Sequence, residues 1–275
     1  METGCRSERI VQSRIVSTQA HRIVTVQGII PMYTFVLVHG SWHDGSAWAP
    51  VIQRLESKGH RAFGPTVAGH GKGVNKAVNH AQSVGSIVDF IVGKDLTGIV
   101  LVGHSYAGTI ISKVVEQIPD RIKRLVYWNA FVLRDGECMN DNVPPHYRTL
   151  FDQMAGASPD HTVLMPFQIW REAFINDADL ALARSAYDLL SPEPFQFNEK
   201  LDMKRFYEII HSGKVGCSYL NCTEDIALPH GEWGWHPRMS SRLGLFRLVQ
   251  MPGSHEAIFS NPILLADKII EAGRD

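Results

Sequence analysis

Cysteine is scarce in this chain of 275 residues: Cys5, Cys138, Cys217 and Cys222 are the whole set. Only the last two are close together, and no second ligand pair accompanies them. Neither a disulfide framework nor a zinc site is therefore expected. No apolar run reaches the roughly 18 residues of a membrane span. Neither sign of charge dominates: 27 Lys and Arg stand against 28 Asp and Glu, a formal net charge of −1. That balance offers no basic face to nucleic acid or acidic lipid. The 13 histidines are scattered, with no H-E-x-x-H or comparable ligand spacing, so no metal and no other cofactor is expected. Reduced thiols point to a cytoplasmic protein. The expected partner is a small molecule, with a homodimer as the one further assembly considered.

What is present is a chain of 44% hydrophobic residues, long enough to bury one core without a staple. Residues 1–31 carry Arg6, Arg9, Arg14 and Arg22 and have no compact apolar segment, which argues against a secretory signal. Met32 stands directly before the first strong strand pattern. The expectation is a loosely attached extension over 1–31 and one domain over 32–275. The competing reading of Val24 to Ile30 is a short extra edge strand.

From Tyr33 the pattern alternates. Tyr33 to Val38, His60 to Phe63, Ile99 to Val102, Ile122 to Trp128, Gly216 to Leu220 and Phe246 to Gln250 read as strands. Trp48 to Ser57, Ser83 to Val92, the stretch after Ser105, Pro237 to Leu243 and Pro262 to Ala272 read as helices. This alternation predicts an α/β fold with a mostly parallel sheet covered on both faces. It stops between about 131 and 205, a stretch rich in Pro, Phe, Met and Trp with short helical pieces such as Leu180 to Leu190. That stretch reads as an inserted helical cap.

Chemistry collects at the carboxyl ends of parallel strands, and four such ends stand out. Gly103-His104-Ser105-Tyr106-Ala107 lies between a strand and a helix. A serine on that bend is exposed to a cleft, with a helix N-terminus behind it to favour negative charge. The last position is Ala107 where the nucleophile-elbow pattern has glycine; alanine is small enough for the packing role. His39-Gly40-Ser41-Trp42 follows the first strand and can aim backbone amides at an oxyanion. Thr223-Glu224-Asp225 and Gly253-Ser254-His255 follow the last two strands. A serine hydroxyl needs an imidazole to take its proton, and the imidazole needs a carboxylate to fix its tautomer. For the acid, Asp225 ranks first and Glu224 second. Asn129 occupies the other position used for an acid and carries no charge; Asp135 is a weaker candidate.

These motifs, in this order, resemble the α/β-hydrolases, in the branch of plant methyl esterases, hydroxynitrile lyases and pyrethroid-hydrolase-like carboxylesterases. The likeness runs from Tyr33 to Ala272. It implies an α/β-hydrolase fold in which Ser105 is the nucleophile, His255 the base, Asp225 the acid, and Ser41 and Tyr106 the oxyanion amides. It implies a serine esterase working through an acyl-serine. The lyases of that branch use a hydroxyl by the oxyanion loop and a lysine beside the catalytic histidine; here those positions are Gly40 and Glu256. Thioester, lactone or amide hydrolysis uses the same triad, and a lyase, a cofactor-free oxygenase or a ligand receptor are the remaining readings. Aromatics near strand ends and in the cap, among them Trp42, Trp128 and Trp170, are expected to wall the substrate pocket and to favour a small apolar or aromatic ester.

Overall fold

The structure, a computed structural model, describes Met1 and residues 32–275. The extension and the edge strand expected at Val24 to Ile30 lie outside the described residues. Six strands form one parallel sheet: β1 Thr34–Val38, β2 Arg61–Phe63, β3 Ile99–His104, β4 Ile122–Trp128, β7 Gly216–Cys222 and β8 Arg247–Met251. Their order is β2-β1-β3-β4-β7-β8, and every neighbouring pair is parallel. Helices α1 Ala49–Ser57, α2 His80–Gly93, α3 Ala107–Gln117, α7 Lys204–His211 and α9 Pro262–Gly273, which the short α8 Ala257–Ser260 precedes, cover it.

The strands are apolar at nearly every position because both faces are buried. Strand parity assigns each residue to a face. Val36, Val38, Leu101, Leu125 and Tyr127 join the core under α2, α3, α7 and the cap. Phe35, Leu37, Val100, Val102, Val126 and Trp128 join a second core under α1 and α9. Fully burying one Leu or Ile contributes about 1.5–3 kcal/mol, so the buried positions Leu265 and Ile269 of α9 hold that face firmly. Helix α2 begins at a reciprocal capping box between Asn79 and Gln82, which satisfies two otherwise orphaned amides.

Between β4 and α7 lies the inserted cap. It contains α4 Pro145–Ala157, α5 Phe167–Ile169, which runs on into a wide turn at Trp170–Phe174, and α6 Leu180–Tyr187. It is not wholly helical: β5 Thr162–Val163 and β6 Glu193–Pro194 form a two-stranded antiparallel ribbon. Helix α7 packs on α3 and belongs to the sheet's own covering rather than to the cap. Expected strand and helix positions are met within a few residues, with one shortfall: only Ser240–Leu243 of Pro237 to Leu243 is helical, as a single 3-10 turn. Among the described residues no helix is long and apolar enough to cross a membrane.

Candidate active site

Ser105 is the first of the two turn residues between β3 and α3, and its φ is +55°. A non-glycine residue holds that left-handed conformation only when its surroundings impose it. The surroundings here are backbone. Ser105 N–H donates to the Trp128 carbonyl at 3.2 Å, and its carbonyl accepts from Gly108 and Phe131 at 3.1 Å each. A Cβ on Gly108 would sit 2.2 Å from the Phe131 carbonyl oxygen, so the close approach of helix to loop falls on Gly108 and not on Ala107. The alanine in the pattern costs nothing because the glycine requirement sits one residue later. Gly40 has the matching constraint on the facing loop: a Cβ there would lie 3.0 Å from Ser105 Cβ.

His255 follows β8. Its Nδ1–H donates to Asp225 Oδ2 at 2.6 Å, which leaves Nε2 with the lone pair a general base needs. Burial by itself would lower the His255 pKa. The Asp225 carboxylate, with a smaller contribution from Glu256, outweighs burial and raises it above the ordinary value. Asp225 is held in turn. Its Oδ1 accepts from Ala227 N–H at 2.9 Å, and its Oδ2 also accepts from the Asn129 amide. Asn129 is anchored by Cys222 N–H at 2.7 Å. Glu224 is exposed, and so is Asp135, whose Oδ1 takes the Met203 N–H at 2.9 Å instead. Of the three acids considered, only Asp225 bonds to the imidazole.

Three rings hold the imidazole in place. Trp235 lies face to face with it at 5.2 Å, Phe174 meets it edge-on at 5.3 Å, and His104 lies tilted at 4.6 Å. His104 Nε2–H donates to the His255 carbonyl at 3.0 Å. Burial first, then the nearby His255, pushes the His104 pKa well below the ordinary value, so it braces the loop as a neutral ring. Trp235 had no assigned role in the sequence, Phe174 counted only among the aromatics expected to wall the pocket, and Asn129 only as the uncharged residue at the alternative acid position. The only available signal was an asparagine where an acid would be expected.

Ser41, Ser105 and His255 line one cavity. No bond joins Ser105 Oγ to the ring among the described residues, a looseness common before substrate is bound. The rest of the wall is apolar or aromatic and includes Trp42, Phe131, Tyr147, Phe151, Phe174, Phe197 and Trp235. Among the described residues no Asp, Glu, Lys or Arg lines it. Neither the Ser41 nor the Tyr106 N–H is taken by another protein group among the described residues; Ser41 lines the cavity, and Tyr106 directly follows Ser105 in the elbow.

Two of the three expected pocket tryptophans are elsewhere. Trp42 lines the cavity. Trp128 does not: it belongs to the core on the opposite face of the sheet. There it stacks on His104 at 3.9 Å and meets Trp48 at 5.6 Å. Trp170 does not line it either. It is fully buried inside the cap and packs on Tyr187 at 5.5 Å. Glu256 also points away from the cavity. Its carboxylate pairs with His43 Nε2 at 3.0 Å.

A family model described as the alpha/beta hydrolase family matches residues 35–268. The solved structure of an extracellular α/β-hydrolase from a Paenibacillus species is 41% identical and superposes with a TM-score of 0.84. The match covers 88% of this chain and 100% of that one, which is described as sharing structural and functional homology with tobacco salicylic acid-binding protein 2. Methylesterase 1 of Arabidopsis thaliana is 26% identical over 262 residues, 86% of this chain and 94% of that protein. A carbendazim-hydrolysing esterase of a Nocardioides species is 34% identical over 116 residues, 41% of this chain. That alignment spans about half, 48%, of the Nocardioides enzyme.

Proposed function

The chain belongs to the alpha/beta hydrolase family, and on that footing we propose that it is a serine esterase cleaving a neutral carboxylic ester with an aromatic or alkyl group. The observation that carries the substrate class is the cavity wall, which among the described residues joins Ser105 and His255 to seven aromatic side chains without one Asp, Glu, Lys or Arg. Each buried CH₂ contributes about 0.8 kcal/mol. An ionised group taken into the same cavity without a partner costs several kcal/mol. The penalty outweighs the apolar contacts, so neutral esters win.

The proposed chemistry has two halves. In the first, Ser105 Oγ attacks the carbonyl carbon and its proton passes to His255 Nε2. The oxyanion sits on the N–H groups of Ser41 and Tyr106, and Asp225 stabilises the imidazolium. The carbon–alkoxide bond breaks and His255 gives its proton to the leaving alcohol. In the second half water attacks the acyl-serine, again with His255 as base. The carbon–Oγ bond breaks, and the proton returns to Ser105.

Thioester, lactone and amide substrates use the same steps. The lyase reading gains nothing from the site: Gly40 offers no hydroxyl and Glu256 no positive charge, and its carboxylate is occupied by His43. A cytoplasmic location is part of the proposal. It rests on cysteine usage, whereas the Paenibacillus relative is described as extracellular; cell fractionation separates the two. The activity is tested with purified protein against paired neutral and anionic esters of equal size. Neutral aryl or alkyl esters are expected to lead in kcat/KM. Preference for the anionic member of each pair would overturn the substrate class, and no turnover of any ester would overturn the activity.

A further inference from the structure

One cap segment, residues 191–197, grips both sides of the oxyanion hole. On the first side it holds Trp42, the residue after Ser41. Glu193 Oε2 accepts the Trp42 N–H at 2.9 Å. The Ser191 N–H donates to the Trp42 carbonyl at 2.8 Å. The Trp42 indole donates to the Val163 carbonyl at 3.0 Å, in the strand that pairs with Glu193. Trp42 sits at φ +67°, a conformation that needs such external restraint. On the second side Gln196 Oε1 accepts the Tyr106 hydroxyl at 2.9 Å. Gln196 is itself anchored through Nε2–H to the Val78 carbonyl at 3.0 Å.

Glu193 is an expensive way to build a latch. It is fully buried, and its Oε1 has no partner among the described residues. Its counter-ion is His70, whose Nε2–H donates to Oε2 at 2.8 Å while its Nδ1–H donates to the Ala68 carbonyl at 3.1 Å. Both ring nitrogens face acceptors, an arrangement that favours the charged ring. Burial opposes that charge, but Glu193 outweighs it and raises the His70 pKa. A buried ion pair is a weak source of stability compared with apolar packing of the same volume. What this one supplies is direction. It consumes the Trp42 N–H and so fixes the Ser41–Trp42 peptide, the unit next along the chain from the Gly40–Ser41 peptide that carries the Ser41 N–H.

We propose that Glu193 and Gln196 are positioning residues for ester hydrolysis, setting from one cap segment the backbone on which each of the two oxyanion amides is carried. Neither touches the substrate carbonyl; each acts through Trp42 or Tyr106. The proposal rests on the esterase reading above. Oxyanion geometry matters in the transition state far more than in the ground state. Loss of the brace therefore lowers kcat and leaves KM nearly unchanged.

The test uses the full-length chain with a neutral ester that the parent turns over. Two inhibitors accompany it: a trifluoromethyl ketone, which forms an oxyanion adduct on serine, and the matching ketone without fluorine, which binds only the cavity. Glu193→Ala is expected to lose about 10- to 100-fold in kcat. It should lose a similar factor in trifluoromethyl ketone affinity, with KM and plain-ketone affinity within about threefold. Glu193→Gln keeps an acceptor for the Trp42 N–H and should recover most of that loss. If Glu193→Ala does not fold, Tyr106→Phe carries the test, since it removes only the hydroxyl that Gln196 holds. A smaller but parallel loss in kcat and adduct affinity is expected there. The proposal is overturned if the folded variants keep parental kcat and adduct affinity. It is also overturned if losses appear equally in KM and plain-ketone binding, the signature of a cap that has merely loosened. A parent without ester turnover would defeat the esterase reading instead.

Discussion

Asp225 Oδ2 receives the Nδ1–H of His255 at 2.6 Å, while Glu224, its neighbour in the chain, faces solvent. The turn after β7 thus sorts two adjacent carboxylates into different environments. Asp225→Asn is expected to cost about 10⁴-fold in kcat, because an amide in that place supports the wrong imidazole tautomer. Glu224→Gln should stay within about twofold, as expected of a surface change. Steady-state kinetics of the two variants side by side decide it; the reverse order would make Glu224 the acid.

Ser105→Ala should remove turnover by about 10⁵-fold or more while leaving the melting temperature nearly unchanged. The side chain faces the cavity, so its loss strands no buried partner. A variant within tenfold of the parent would mean that another group is the nucleophile.

The acid limb of the pH–rate profile should reflect His255. The base must be neutral, and its pKa is raised above the ordinary 6.5. Activity is therefore full at high pH and declines as pH falls through that raised value, so kcat/KM should show an inflection above 6.5. In Asp225→Asn the main cause of the rise is gone, and the inflection of the residual activity should move to lower pH. A limb that does not move would assign it to a different group.

Cap specificity should reside in Phe151 and Phe197, which line the cavity, and not in Trp170. Phe151→Ala should lower kcat/KM for a bulky ester by a few kcal/mol of lost contact, about 0.8 kcal/mol per CH₂, and spare a small acetate. Trp170→Ala should instead cost about 3–5 kcal/mol of stability through a cavity in the cap, with all esters affected alike. An ester series measured beside melting curves separates the two effects. A changed ester preference in Trp170→Ala would contradict its placement.

Buried histidines give stability a pH dependence of both signs. Burial lowers the His80 pKa from 6.5 to about 4, so below 6.5 the unfolded chain binds a proton that the folded chain refuses. The stability His80 contributes is whole above 6.5 and is lost as pH falls towards 4, roughly 3 kcal/mol in all. His39 and His104, also lowered, add in the same direction. His70 and His255 are raised; their contribution is whole below 6.5 and is lost as pH rises through their folded values. Urea titrations at pH 7 and pH 4.5 should show His80→Gln losing less than the parent between the two. Equal losses would show that His80 is charged in the folded protein.

The chain's own order determined the strand–helix rhythm, the elbow at Ser105, the loop at His255 and the two candidate carboxylates after β7. All of these are local. A strand pattern, a glycine beside a turn and a residue just past a strand end are properties of a few contiguous residues, and parallel strands deliver such ends to one edge of the sheet. The helix Lys204–His211 went unread because it adjoins the irregular cap. Facing was not legible. Both sides of a parallel sheet are apolar, so the pattern around Trp128 does not tell one core from the other; parity within the folded sheet put it against His104, while the turn after β1, held by the cap, put Trp42 at the cavity. The cap has no sheet register to place Trp170, Phe151 or Phe197, and only packing decided which ring looks inward. Glu193 reaches Trp42 across 151 residues and His70 across 123. A contact at that separation leaves no trace in periodicity or composition, because it is made by the fold bringing distant segments together.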